Sequence, residues 1–336
     1  LLGEKVASNK PLAVLIDVIA ILTTVFGVTT SLGLGTVQIS AGMAHIFGIE
    51  ETFTNKVYII IFITLLGLTS VSLGLNAGIK KLSQVNMIIA TGLLLLVFAL
   101  GPTIFIVNAL VQNFGAYLNT IIQSATWTEV YDPTSWQNGW TLFYFTWWFS
   151  WAPFVSLFIA RISYGRTIKE FIVGVLFVPS LIVFLWMGVF GNAAIYQVIS
   201  NTSDISQVVA NNLPVALFTL YDVYPFAQPL SIISLILIVT FFVTSSDSGA
   251  LVASMLSSKD QTDINDDSPM ISRVTWAILL GVVAAVLLYA GGLTALQTSV
   301  VITGVPFAII MVFACKNLLK GLKESDNTPP GHINSD

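Results

Sequence analysis

The chain has 336 residues, 55% of them hydrophobic and only 9% charged, with a mean hydropathy of +0.87 and a net charge of −4. A water-soluble domain carries about 25% charged residues, so there is too little charge here to cover a water-facing surface, and a soluble fold is excluded. No basic patch points to nucleic acid, and the single cysteine, Cys315, excludes a disulfide framework or a thiolate metal cluster.

Long apolar runs with helical spacing predict an all-α membrane protein, a helical bundle rather than a barrel. Windows of about 20 apolar residues place spanning helices at 12–44, 57–77, 84–111, 139–161, 168–198, 229–256, 271–291 and 294–315, in one transmembrane domain over 1–336. There is no signal peptide, and Leu1 in place of Met reads as a start inside a longer protein. Twelve of the 13 basic residues fall on one side of these spans, with only Lys56 opposite. By the positive-inside rule that side is the cytoplasm, and it holds both ends of the chain. Residues 112–138 and 199–228 are outer loops free of Lys and Arg. Within the first, the amphipathic stretch Phe114–Thr126 is predicted to lie along the outer surface. Asn201-Thr202-Ser203 reads as an ordinary loop rather than a glycan acceptor. Asp263-x-Asn265-x-Asp267 lacks the Gly and Glu of a calcium loop, having Ser268 and Val274 there. The polar tail 324–336 reads as disordered.

Three spans carry unusual chemistry. The first contains Thr23-Thr24-Val25-Phe26-Gly27-Val28-Thr29-Thr30-Ser31-Leu32-Gly33-Leu34-Gly35. Small and hydroxyl residues let helices approach closely, and the same oxygens suit a small hard cation such as Na⁺. The fourth places Trp140, Tyr144, Trp147, Trp151, Phe154 and Phe158 three or four residues apart, on one helix face. Trp148 lies beside that face. A lipid-facing helix keeps Trp for its ends, so rings through the middle fit either a packed core or a cage for a cation. A quaternary ammonium has no N–H to donate, which leaves aromatic faces to hold it. Pro153 should free backbone carbonyls next to the cage. The sixth span contains Thr244-Ser245-Ser246-Asp247-Ser248, five polar positions that must face the protein interior or a cavity. Asp247 fits a proton or cation ligand, and equally an acceptor for neighbouring hydroxyls.

Together these residues resemble the betaine/carnitine/choline transporter family. The similarity centres on W-T-x-F-Y-x-x-W-W-x-S-W-x-P-F-V and F-x-A-R-I-S-x-G-R-T-I-x-E-F-I within Trp140–Ile172, with VFGVTTSLGLG at Val25–Gly35 and TFFVTSSDS at Thr240–Ser248. The resemblance implies a leucine-transporter-like architecture of two inverted five-helix repeats, of which this chain carries the eight C-terminal helices of the family's twelve. It implies that Trp147, Trp148 and Trp151 form the substrate cage, with Phe143 and Phe145 beside it and Phe154 and Phe158 towards the cytoplasmic exit. It further implies that Phe241, Thr244 and Ser245 form half of one sodium site, and that Thr24 with Phe154 serves a second. This chain departs from that pattern at Val28, where the sodium-coupled betaine carriers have a hydroxyl, and at Phe145, often another Trp. It has no Arg in the first span and keeps Trp151, which separates it from sodium-independent carnitine exchangers. Its short tail differs from the long basic tail of osmosensing members.

The expected function is Na⁺-coupled uptake, across the cytoplasmic membrane, of a quaternary ammonium or related compatible solute of the glycine betaine type. Na⁺ is the coupling ion, no cofactor is expected, and the family implies a homotrimer. The alternatives are a sodium-independent exchanger of carnitine- or choline-type solutes and a non-transporting solute sensor. An enzyme is not expected: no His pair, acid pair or nucleophile–base set lies inside the spans.

Overall fold

The computed structural model describes residues 8–73, 80–258 and 268–326, together with residues 2 and 6. The calcium-like stretch 263–267 and the tail beyond Asp326 lie outside the described residues. Among the described residues all regular structure is helical: α1 Lys10–Phe47, α2 Phe53–Leu73, α3 Lys80–Leu100, α4 Thr103–Thr126, α5 Phe143–Ile162, α6 Ile168–Ile199, α7 Ile205–Asn211, α8 Ala216–Tyr221, α9 Ala227–Ser257 and α10 Met270–Asp326. Eight of the helices are long and apolar enough to cross a membrane.

Local chemistry sets the boundaries. Asn9 caps α1 through its side-chain oxygen, and Gly48, at φ 69°, closes it in the left-handed conformation that glycine adopts without a steric penalty. The third span is shorter than hydropathy predicts. Gly101-Pro102 interrupts the apolar run 84–111, because proline lacks the N–H and disfavours helix in the residue before it. The chain ends α3 at Leu100 and restarts as α4 at Thr103. Phe114–Thr126 is the second half of this separate, largely exposed helix. The α10 helix is broken at Gly291 and at Gly292, where φ is 59°. Its first limb covers 270–290 and its second limb 293–326, so helix continues past 315 into the stretch expected to be polar tail.

α1 runs through the middle of the bundle and packs against α2, α5, α9 and both limbs of α10. Most residues of α1 from Ala20 to Gly42 are buried. Hydroxyls tie it to α10: Thr23 Oγ1 donates to the Thr303 carbonyl and Thr30 Oγ1 to the Leu296 carbonyl, each at 3.0 Å. By contrast, α4 and α6 expose nearly all their length, and they pack chiefly on each other and on α3. The short helices α7 and α8 cap one end of the bundle, with Phe218 and Tyr221 fully buried. His45 of α1 pairs with Asp222 beneath them at 3.1 Å.

Candidate functional site: an aromatic cleft on α5

The aromatic helix begins in an unusual way. A π-helical turn, Gln137–Leu142, leads directly into α5. A π turn closes on i→i+5 hydrogen bonds, is rare, and recurs at functional sites. Pro153 sits inside one continuous α-helix. Only the bond a prolyl N–H would have made is missing, and packing on two sides holds the backbone helical.

That packing is tight. A Cβ on Gly27 of α1 would lie 3.0 Å from Ser150 Cβ and 3.2 Å from the Ser150 backbone. A Cβ on Gly304 of α10 would lie 2.5 Å from the Thr146 carbonyl oxygen. Both glycines are required by close approach of α5, whose Thr146 and Ser150 turn inward and are buried.

The opposite side of α5 carries a cleft of about 130 Å³ lined by Tyr144, Trp147, Trp148 and Trp151. The rings of Trp147 and Trp151 stand nearly perpendicular, at 88° with centroids 6.5 Å apart. Tyr144 meets Trp147 edge-on at 5.8 Å. Phe143, buried, stacks behind Trp147 at 5.3 Å and 18°. Phe154, also buried, stands edge-on to Trp151 at 5.6 Å. Perpendicular indoles offer two negative faces to one cation, each worth about 0.5–2 kcal/mol.

Both indoles are pinned to the same atom. Trp147 Nε1–H and Trp151 Nε1–H each donate to the Gly27 carbonyl, both at 3.3 Å. Ser31 Oγ donates to that carbonyl as well, at 3.1 Å. From the sequence, Gly27 is a packing residue only. No side-chain pattern could reveal that its carbonyl orients the two rings.

Of the other residues named for the cage, Trp148 lines the cleft and is 67% exposed. Phe145, 60% exposed, pairs with Phe149 and does not line the cleft. Phe158 is half-buried two turns below Trp151, outside the cleft lining. Tyr144, which helical spacing puts on the stripe but not in the cage, is a wall of the cleft. A larger groove of about 410 Å³ between α4 and α6 has almost no polar lining, and its Asn113 and Asn192 bond to each other at 3.1 Å.

The sodium candidates divide into two groups. On α9, Thr244 Oγ1 and Ser245 Oγ both donate to the Phe241 carbonyl, at 2.8 and 3.0 Å. Three oxygens are thus gathered on a partly exposed face, and each hydroxyl keeps lone pairs for a cation. On α1, the Thr24 hydroxyl is fully buried without a hydrogen-bond partner. One turn later Val28 supplies no oxygen, and its methyl groups fill the space over Gly249. Thr29 donates to the Val25 carbonyl within its own helix at 2.8 Å. Asp247 lies buried beside Ser70 and Arg273, with neither carboxylate oxygen in a closed hydrogen bond.

Fold and site together define a multi-pass, all-helical membrane protein with an aromatic cleft on one spanning helix. The family profile described as BCCT, betaine/carnitine/choline family transporter, matches residues 1–327. The chain is 40% identical over 324 residues to a glycine betaine transporter of Acinetobacter baylyi, covering 96% of this chain and 48% of that protein. It is 42% identical over 311 residues to a glycine betaine/proline/choline transporter of Vibrio parahaemolyticus, covering 92% and 55%. A glycine betaine transporter of Bacillus subtilis matches at 40% over 327 residues, covering 96% and 62%. The chain belongs to the betaine/carnitine/choline transporter family, and it spans about half to three-fifths of the length of these relatives.

Proposed function

We propose that the protein takes up a quaternary ammonium or related compatible solute of the glycine betaine type, driven by Na⁺, across the cytoplasmic membrane. The observation that carries this reading is the cleft of Tyr144, Trp147, Trp148 and Trp151, with two perpendicular indoles fixed on one carbonyl. Such a site suits a cation that cannot donate hydrogen bonds. The names of the relatives point the same way. The excess of Lys and Arg on one side puts both ends of this chain in the cytoplasm.

Sodium would bind at Thr244 Oγ1, Ser245 Oγ and the Phe241 carbonyl, completed by oxygens from elsewhere in the protein. The second hydroxyl set is reduced to Thr24, since Val28 and the locally bonded Thr29 contribute nothing. One coupled Na⁺ is the stoichiometry this oxygen set supports. Sodium can drive uptake only by binding the outward-open state better than the inward-open one.

The test is solute uptake into proteoliposomes holding the full-length protein. Replacing external Na⁺ by K⁺ is expected to reduce uptake to background. The double variant Thr244→Ala/Ser245→Ala should raise the Na⁺ concentration for half-maximal uptake roughly tenfold or more, the cost of about 1.4 kcal/mol of lost coordination. Unchanged uptake in K⁺ would refute sodium coupling.

A further inference from the structure

The loop ahead of the aromatic helix holds a carboxylate that takes no part in the cage. Glu129 is only 9% exposed although it lies between two spans. One of its oxygens accepts from the Thr134 hydroxyl and from the Trp136 N–H at 3.2 Å, and the other accepts from the Gln137 N–H at 3.0 Å. Trp136 and Gln137 open the π turn, so the carboxylate satisfies first-turn donors that have no partner within the helix and sits where the helix dipole favours a negative charge. The Thr134 hydroxyl first, then the two backbone N–H groups, hold the Glu129 carboxyl below the usual carboxylate range, so it is anionic at neutral pH.

The chain is bent to make this contact. Glu129 and Ser135 both adopt left-handed backbone, at φ 55° and 65°, at a cost of about 1–2 kcal/mol each for a residue other than glycine. Gln137 Nε2–H donates back to the Trp127 carbonyl at 2.8 Å, closing the loop on the helix start. From there rings touch in series down to the cleft: Trp127 on Trp136 at 5.6 Å, Trp136 on Trp140 at 6.3 Å, Trp140 on Tyr144 at 5.9 Å and Tyr144 on Trp147 at 5.8 Å.

Between the carboxylate and the cleft stands the π turn Gln137–Leu142. Reverting from π to α removes one residue from the turn and rotates the rest of α5 by about 100° relative to the helix start. Only one of these two registers leaves Trp147 and Trp151 aimed at the Gly27 carbonyl while Glu129 holds the helix start.

We propose that Glu129 is a positioning residue for the cage: by clamping the first turn of the aromatic helix it holds the π register that points Tyr144, Trp147 and Trp151 at the solute. This rests on the cage reading and deepens it. The clamp acts on solute affinity rather than on turnover.

The test is Glu129→Gln in the full-length transporter, read by glycine betaine uptake in proteoliposomes and by tryptophan fluorescence titration in detergent. Glutamine keeps the size but replaces one accepting oxygen with a donor that faces a backbone N–H. KM and Kd are expected to rise about tenfold, the scale of one lost charge-assisted hydrogen bond, with the maximal rate per folded transporter nearly unchanged. Glu129→Asp, which keeps both oxygens, should recover much of the loss. A wild-type KM in folded Glu129→Gln overturns the proposal, as does a fall in folded protein alone with wild-type KM in the remainder. If Glu129→Gln does not accumulate, Thr134→Ala removes one donor and keeps the carboxylate. It should raise KM by a smaller factor, and a wild-type KM there overturns the proposal. Trp151→Leu, run beside these variants, reports separately on the cage: wild-type affinity in that variant would fail the cage reading, whatever Glu129→Gln does.

Discussion

Trp151→Leu is expected to leave the transporter folded and to raise the Kd for a trimethylammonium solute roughly 10- to 30-fold. The size comes from the geometry. Trp151 supplies one of two perpendicular faces and is half-buried, with its indole N–H on the Gly27 carbonyl. Removing the face forfeits about 1.4–2 kcal/mol of cation–π attraction, which is about tenfold to thirtyfold in Kd. Leucine fills much of the volume against Phe154, so the packing penalty is small. Trp151→Phe keeps a weaker face and should fall between the two. The measurement is a calorimetric titration of the purified full-length protein. Equal Kd in all three proteins would remove Trp151 from the site.

Gly304→Ala should destabilise the protein although alanine is the better helix former. Alanine gains about 1 kcal/mol of helix propensity over glycine. At Gly304, however, the new Cβ would lie 2.5 Å from the Thr146 carbonyl oxygen and 2.9 Å from Ser150 Oγ. The hydroxyl can rotate away, but the carbonyl cannot move without shifting α5, and overpacking of this kind costs about 1–3 kcal/mol or more. A displaced α5 also carries Trp147 and Trp151 off the Gly27 carbonyl, so stability and solute affinity should fall together. Gly115→Ala on α4, where a Cβ meets nothing within 4 Å, is the matched control and should be neutral or stabilising. Thermal melts in detergent separate the cases. A Gly304→Ala protein with unchanged Tm and unchanged Kd would mean that α5 is not wedged between α1 and α10.

These two variants mark what the sequence made legible. The aromatic stripe was readable because Trp140, Tyr144, Trp147 and Trp151 recur at helical spacing; that Tyr144 joins Trp147, Trp148 and Trp151 as a wall of one cleft was not. The polar run on α9 was readable because polar groups in an apolar span must face inward: Ser246, Asp247 and Ser248 are buried, while Thr244 and Ser245 stay partly exposed. What holds the cage was not readable. The Gly27 carbonyl is an acceptor that every residue type has, and its partners lie 120 and 124 residues away. The π turn has no composition of its own, so Gln137–Leu142 looks like ordinary helix. Pro153 removes one helix bond, as its chemistry dictates, and the helix continues through it. Gly101-Pro102 erred the other way: a hydropathy window averaged over a break that the dipeptide itself announces. The family resemblance placed Phe145 beside the cage, but one residue past Tyr144 is about 100° around the helix, and its ring pairs with Phe149.

If the cleft on α5 binds a cation by its ring faces, charge rather than shape decides affinity. The most direct measurement compares choline with 3,3-dimethyl-1-butanol, its uncharged carbon analogue, as ligands of the full-length protein, by titration calorimetry at saturating Na⁺. Both have nearly the same shape and the same hydroxyl, and they differ in the positive charge. A cleft of tryptophan faces should bind choline at least about tenfold more tightly, the worth of one or two desolvated cation–π contacts, and Trp151→Leu should shrink that ratio. Equal affinity for the two, or a ratio that survives Trp151→Leu, would contradict binding by the ring faces.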